Sequence, residues 1–179
     1  LAEMAPQSIQ PLILALKGKS EQVRFHIHQT LGMIGEPAIE ALIRRLEDPD
    51  TIWRMLAADA LKDTGWQPGM DRNSAAYWAI RLDWDKCAAV GSEAVPILIR
   101  ALRENSAWER MKAAEALVKI GWKPEIDQDG AVFWIARQDW RRLAEFGGAA
   151  STPLINTLYD FIDQMNDDVI NRKEGNNVI

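Results

Sequence analysis

The strongest constraint on the fold is a segment of 56 residues that occurs twice in the chain. Residues 36–91 align with residues 92–147 without a gap and share 22 identical positions. A self-match of this length is typical of a tandem array of structural repeats. The identities include three tryptophan pairs, namely Trp66 with Trp122, Trp78 with Trp134, and Trp84 with Trp140.

Each half of this segment is predicted to be an antiparallel hairpin of a helix A and a helix B. An apolar residue and a glycine close most units, and glycine suits the position after a helix because it takes positive φ without a Cβ penalty. These glycines are alternately 30 and 26 residues apart. The predicted units are residues 1–5 (the end of a preceding repeat), 6–35, 36–65, 66–91, 92–121 and 122–147, followed by a terminal helix and tail in 148–179.

Apolar spacing places the helices within these units. Ile39, Leu42, Ile43 and Leu46 follow the i, i+3, i+4, i+7 pattern of a helix A. The second helices are predicted over 21–34, 53–64 and 111–120, and in the 26-residue units Asp83 and Asp139 are expected to be N-caps. The terminal helix is predicted over 152–165, with one apolar face made of Leu154, Ile155, Leu158, Phe161, Ile162 and Met165.

Composition excludes several classes of function. The formal charge is −5, from 21 basic and 26 acidic residues, and nucleic-acid binding is not expected without a basic excess. The single Cys87 excludes an internal disulfide and a cysteine-built metal site. No apolar run approaches the ~20 residues that span a bilayer. We expect a cytoplasmic protein with no membrane partner. Residues 1–179 are predicted to form one domain. We also expect the chain to be a fragment of a longer protein, because residues 1–5 resemble the end of a repeat.

Helix B carries the pattern apolar-Arg-x-x-Ala-Ala-x-Ala-Leu-x-x-apolar-Gly. Residues 53–65 and 109–121 follow it, and residues 23–35 are a looser copy. The pattern resembles the HEAT-like repeat of the phycobilisome lyase type. The resemblance implies an all-α fold, a right-handed α-α superhelix (a HEAT-like solenoid) of antiparallel hairpins with alternating 30- and 26-residue units. It implies little about function, because such arrays serve many unrelated tasks.

The eight tryptophans have two interpretations. The three recurring pairs are predicted to belong to the core of the repeat, since they follow its 56-residue period. Trp53 and Trp108 do not match in register, and they are candidates for partner contact at the starts of B helices.

The recurring arginines and the histidines are also interpreted as structural. Arg24, Arg54 and Arg110 occupy one helix B position, and they are predicted to pair with acidic residues of neighbouring turns, among Asp48, Asp50 and Glu104. His26 and His28 are two residues apart and point to different sides of a helix, so they cannot bind one metal ion. His28 is expected between helices and His26 on the surface.

No constellation of catalytic residues stands out. The sequence holds no Gly-rich phosphate loop and no Ser-His-Asp or Cys-His combination of recognisable spacing. We therefore expect no catalytic residues, no cofactor and no metal, and a protein that is not an enzyme.

The remaining candidate is the concave face lined by B helices. Its non-consensus positions point away from the core and vary in charge, which suits recognition of a protein or peptide. The protein is thus predicted to be a non-catalytic interaction scaffold that binds a polypeptide along this face. Self-association through open solenoid ends is a second predicted interaction. Two alternatives stay open: a lyase or lyase-accessory module that handles a tetrapyrrole, and a HEAT-like DNA glycosylase, which would need a basic groove. The candidate partner-binding residues are His26, Gln29, Met33, Trp53, Leu56, Asp59, Asp63, Trp108, Lys112, Glu115 and Lys119.

Overall fold

The computed structural model describes residues 5–18, 20–104, 106–159 and 162, and every regular element in this part of the chain is helical. Short 3-10 segments, Gly91–Ala94 and Gly147–Ala150, each lead into a helix. The α-helices are α1 (Ala5–Ala15), α2 (Glu21–Ile34), α3 (Glu36–Arg45), α4 (Thr51–Asp63), α5 (Arg72–Ile80), α6 (Trp84–Ala89), α7 (Val95–Glu104), α8 (Ala107–Ile120), α9 (Gln128–Ala136) and α10 (Trp140–Ala144), and residues 151–159 form the terminal helix.

The chain divides into two compact units, Leu1–Leu98 and Ile99–Ile179. In the first unit α1 packs on α2, α3 packs on α4, and α2 also contacts α4. In the second unit α9 lies against α8 and α10. These contacts show sequential helices packed side by side within each unit.

Glycines end the helices as the sequence predicts. Gly35, Gly65, Gly91, Gly121 and Gly147 all have positive φ, between 50° and 83°. Gly121 closes α8 in the left-handed region, where its amide donates to the carbonyl oxygens of Leu117 and Val118. A residue with a Cβ would be strained there.

Side-chain caps fix where several helices begin. Asp83 and Asp139 accept from the amides of Lys86 and Arg142 at 3.1 Å each, which confirms both predicted N-caps. The prediction for α2 is confirmed at Glu21–Ile34. Two other predicted starts were wrong, because caps outside the apolar pattern extend the helices: Asp50 begins α4 at Thr51, and Ser106 with Glu109 begins α8 at Ala107.

The turns after α5 and α9 hold a left-handed residue that is not glycine. Leu82 has φ 58° and Gln138 has φ 56°, and they are equivalent positions of the 56-residue period. In each turn two backbone amides donate to carbonyl oxygens of the preceding helix. The longer-range bond runs from the amide of Asp83 to the carbonyl oxygen of Trp78 at 2.9 Å in the first turn, and from the amide of Asp139 to that of Trp134 at 3.0 Å in the second. This is the pattern of a Schellman motif, which normally places glycine at that residue.

The tryptophans predicted to be in the core differ in how deeply they are buried. Trp84 and Trp134 are buried, and Trp66, Trp78 and Trp122 are half-buried. Trp66 and Trp78 each meet the ring of Tyr77 edge to face, with centroids 5.2 and 5.0 Å away. Trp122 and Trp134 flank Phe133 in the same way, with centroids 5.4 and 4.8 Å away.

Trp140 contradicts the prediction that all three pairs are buried. Its side chain is 57% exposed, although its equivalent Trp84 is only 7% exposed. Equivalent positions of the two copies therefore differ in burial.

The terminal helix is also more exposed than the sequence suggests. Its predicted apolar face is present, but Leu154, Ile155, Leu158 and Ile162 are 40–58% exposed. The predicted members Phe161 and Met165 lie outside the described residues, as does most of the predicted segment 1–5.

Candidate interaction surface

The first unit has a groove between α2 and α4. These two B helices contact each other. The groove encloses about 270 Å³ and opens to solvent. We call it the α2–α4 groove and define it by the residues that line it: Glu21, Arg24, Phe25, His28, Asp59, Lys62 and Asp63.

His28 joins the two helices at the groove. Its ring is 6% exposed, and its Nδ1 lies 2.7 Å from Oδ2 of Asp63. Nε2 is buried with no hydrogen-bond partner in the described part of the chain. That arrangement favours the tautomer in which Nδ1 carries the proton and donates it to Asp63. The expectation that His28 packs between helices is confirmed, and Asp63 is its partner.

An ion pair holds the other carboxylate that α4 contributes to the groove. Oδ1 of Asp59 accepts from Nη1 of Arg81 at 2.7 Å. Exposed pairs of this kind contribute little to stability. They do restrict the rotamers of the two side chains, so both carboxylates of α4 are presented in fixed positions. Asp59 and Asp63 were predicted from the sequence as partner residues, and the structure shows that each is bound within the chain.

An exposed apolar residue recurs on the B helices at the position after the repeated arginine. It is Phe25 on α2, Met55 on α4 and Met111 on α8, and these side chains are 52%, 48% and 38% exposed. This position was not predicted from the sequence. The pattern is nevertheless visible there, because Arg24, Arg54 and Arg110 are each followed by a large apolar residue that lies off the buried stripe.

The other predicted partner residues differ in accessibility. His26, Gln29 and Met33 are exposed on α2, and Met33 is the most open at 81%. Lys112 and Glu115 of α8 are half-buried and paired with each other at 2.8 Å, whereas Lys119 and Trp108 are exposed. Seven of the predicted residues therefore lie in the first unit, and two of these, Asp59 and Asp63, line the α2–α4 groove. The remaining four lie in the second unit: Lys112, Glu115, Lys119 and Trp108.

The ring of Trp53 is held by contacts within the chain. It is half-buried, and the cationic groups of Lys17 and Arg45 each lie 5.4 Å from its ring. Cations over a tryptophan face are attracted by the ring quadrupole. Lys17 also binds Asp50 at 2.9 Å, so this cluster ties the turn of one hairpin to the turn of the next.

Arg54 binds the backbone of its own turn. It is 7% exposed, and its Nη1 donates to the carbonyl oxygens of Asp48 and Pro49 at 2.9 and 3.2 Å. The sequence predicted a carboxylate partner at this position. The guanidinium holds these main-chain oxygens, and its charge adds to the larger effect of the Lys17 hydrogen bond in lowering the pKa of Asp50. The Asp48 carboxylate is bound by Arg45 at 2.6 Å, and that hydrogen bond lowers the pKa of Asp48.

Other chemistry-bearing groups show no reactive arrangement. Cys87 is fully buried, and burial raises its pKa to about 12, so little thiolate is present at neutral pH. Within the described residues no group of three or more His, Cys, Asp or Glu side chains could hold a metal ion. None of the helices described has both the length and the apolar character needed to cross a bilayer.

Comparison with known proteins gives one family match. Residues 1–67 match HEAT repeats. The matched stretch contains α1 to α4, and thus both helices that form the α2–α4 groove. The match supports a HEAT-like repeat protein. It does not distinguish the phycobilisome lyase type from other HEAT-like arrays. No curated protein matches the chain, and no solved structure matches it.

Proposed function

We propose that the protein is a non-catalytic scaffold that binds another polypeptide across its B helices. One observation carries this proposal: the position after the repeated arginine is large, apolar and exposed on α2, α4 and α8. A core position would be apolar and buried, and a solvated position would tolerate polar residues. A repeated apolar side chain that faces solvent is expected where a partner is bound.

The surroundings of Phe25 fit a peptide. Phe25 and Met55 lie on neighbouring packed helices, so their backbones are expected about 8–10 Å apart. Around Phe25 the groove offers carboxylates fixed by intrachain partners and the cations Arg24 and Lys62. An aromatic anchor surrounded by charges of both signs is the usual anatomy of a polypeptide interface. Repeat arrays commonly use such extended surfaces for binding.

A tetrapyrrole-handling role receives no such support. It would need a roomy apolar pocket lined by tryptophan. Trp66 and Trp78 instead pack edge to face on Tyr77, and Trp122 and Trp134 pack on Phe133. The residues that line the α2–α4 groove include the rings of Phe25 and His28 but no tryptophan. We therefore extend the proposal to binding and not to catalysis.

The proposal is tested by selecting peptides against the immobilised protein from a random display library. Enriched peptides are then titrated by fluorescence polarisation against the parent and against Phe25→Glu/Met55→Glu. Loss of two apolar contacts is expected to weaken binding by roughly a hundredfold, since one buried side chain is worth about a tenfold change or more.

Met70→Glu is the matched control. Met70 is 67% exposed in the same unit, but it lies in the segment before α5. The Met70→Glu variant should bind the selected peptides as tightly as the parent does. Failure to enrich any peptide, or equal affinity of parent and double variant, would refute the proposed function.

A further inference from the structure

His28 occupies a position that the other two B helices with the arginine pattern fill with alanine. Its equivalents are Ala58 on α4 and Ala114 on α8, and both are 0% exposed. The histidine leaves Nε2 buried with no hydrogen-bond partner in the described residues, which is unfavourable for a polar group. Alanine would avoid that cost at the same place in the hairpin. Packing of the repeat therefore does not account for the histidine.

The hydrogen bond from His28 to Asp63 gives the buried ring a role. Asp63 lines the α2–α4 groove, its side chain is 42% exposed, and the bond is made by its Oδ2. A carboxylate has further acceptor sites, so Oδ1 remains able to accept from a molecule in the groove. The repeat equivalents of Asp63 are Met33 and Lys119. The histidine and the carboxylate that it binds are thus both departures from the repeat.

The two carboxylates that α4 contributes to the groove differ in charge balance. Asp59 accepts from the guanidinium of Arg81 at 2.7 Å, so a cation already matches its charge. Asp63 accepts from a ring that is uncharged in the Nδ1-protonated tautomer, so its hydrogen-bond partner orients the carboxylate without cancelling its charge. The other charged residues that line the groove are Glu21, Arg24 and Lys62. Asp63 is therefore an oriented anion in the same groove as the exposed ring of Phe25.

We propose that Asp63 selects polypeptides that carry a lysine or arginine beside the apolar side chain bound at Phe25, and that His28 is the residue that positions Asp63. The inference rests on the proposed function, because it names the chemistry of the partner in the same groove. The partner's cation donates to Oδ1 in a charge-assisted hydrogen bond, and its aliphatic stem lies on the Phe25 ring. Orienting the carboxylate in advance lowers the entropy lost on binding.

The first test compares the peptides that the parent and Asp63→Asn select from one random display library. The full chain is immobilised in each case, and the enriched pools are sequenced. The parent should enrich peptides with a basic residue near an apolar one several-fold more often than Asp63→Asn does. Glu40→Gln is the matched control, since it removes the same charge from an exposed residue of α3 that does not line the groove. It should select the same basic peptides as the parent.

The second test titrates a fluorescein-labelled enriched peptide and its analogue with norleucine in place of the basic residue. The parent should bind the basic peptide about tenfold or more tightly than the analogue, because a hydrogen bond to a charged group has roughly this effect. Asp63→Asn should bind the two peptides within about twofold of each other.

The role of His28 is read from the same ratio of affinities. His28→Ala places the residue of α4 and α8 at this position, so it should fold, and thermal melts check this. It should lose most of the preference for the basic peptide while its affinity for the norleucine analogue changes less than about twofold. His28→Asn should restore the preference, because an asparagine amide also donates to a carboxylate.

The outcomes separate this inference from the proposed function. Enriched peptides that need Phe25 and Met55 but show no basic preference, or one that survives Asp63→Asn, would overturn the inference and leave the proposed function standing. A lower Tm for His28→Ala with an unchanged preference would show that the histidine only joins the helices. Peptides that need Asp63 but bind Phe25→Glu/Met55→Glu as tightly as the parent would refute the proposed function and support the cation site alone. Failure to enrich any peptide would refute both.

Discussion

Replacing Gly130 by alanine would force the backbone of the second unit to move. Gly130 is buried in the first turn of α9, where an added Cβ would lie 1.9 Å from the carbonyl oxygen of Glu125 and 2.8 Å from Cε1 of Phe146. Relaxed contacts between heavy atoms are about 3.5 Å or longer. The nearest atom belongs to the main chain, so rotation of a side chain cannot relieve the overlap. Overpacking typically costs about 1–3 kcal/mol, whereas removing a helical glycine gains about 0.5–1 kcal/mol.

Because the overlap involves the main chain, we expect a net loss of about 1–2 kcal/mol for Gly130→Ala, or roughly 2–8 °C in Tm for a chain of this size. Gly32→Ala is the control, because a Cβ on this α2 residue would make its nearest contact at 3.6 Å with Cα of Thr64. That variant should gain about 0.5–1 kcal/mol. Thermal and urea unfolding followed by far-UV circular dichroism measures both. The reasoning is refuted if Gly130→Ala unfolds at or above the parental Tm, or if the two variants shift in the same direction.

Three further predictions concern the aromatic clusters, the hairpin turn and the cysteine. Trp134→Ala should cost about 3–5 kcal/mol and Trp140→Ala less than about 0.5 kcal/mol, and equal losses in thermal melts would contradict the burial described. The Arg45 hydrogen bond lowers the pKa of Asp48. The stability that this pair contributes is therefore fully present above the ordinary pKa of about 3.9, and it is lost as the pH falls through the lowered pKa. Arg45→Gln should flatten the fall in Tm on acidification, and an unchanged slope would argue against this effect. Cys87 should react with a thiol reagent only in denaturant, and rapid labelling of the folded protein would be inconsistent with its raised pKa.

Much of the secondary structure follows from local signals in the sequence. The apolar spacing and the closing glycines predicted the helices, and α2 was correct at both ends. The starts of α4 and α8 were placed too late because a cap lies outside the apolar pattern: Asp50 and Ser106 act through hydrogen bonds to amides. The right-handed stacking and the unit lengths stay predictions.

The repeat pattern was less informative about individual sites. Gly130 stands where the first copy has Ser74, whose hydroxyl accepts from the amide of Gly69 at 2.7 Å. An alignment treats these as interchangeable small residues, although the loop of the second copy fills the space of the side chain. Trp140 was assigned to the core for the same reason, because periodicity reports the shape of a unit and not the burial of an individual side chain.

The candidate surface was partly predictable. The choice of exposed B-helix positions identified Asp59 and Asp63, but their partners Arg81 and His28 depend on three-dimensional contacts that no spacing rule gives. Phe25 was not among the residues predicted from the sequence. Comparing it with Met55 at the same repeat position would have shown that it lies off the buried stripe.

The left-handed residues Leu82 and Gln138 give each compact unit its own adjustable element of stability. A residue with a Cβ at this φ costs about 1 kcal/mol or more that glycine would not. Gln138 is exposed, so glycine there would remove the strain with little lost packing, and Leu82→Gly would do the same in the other unit at some cost in apolar contact. One substitution in each unit changes the balance between them without touching the α2–α4 groove. Whether the two changes move one unfolding transition or split it in two measures how cooperatively the array unfolds.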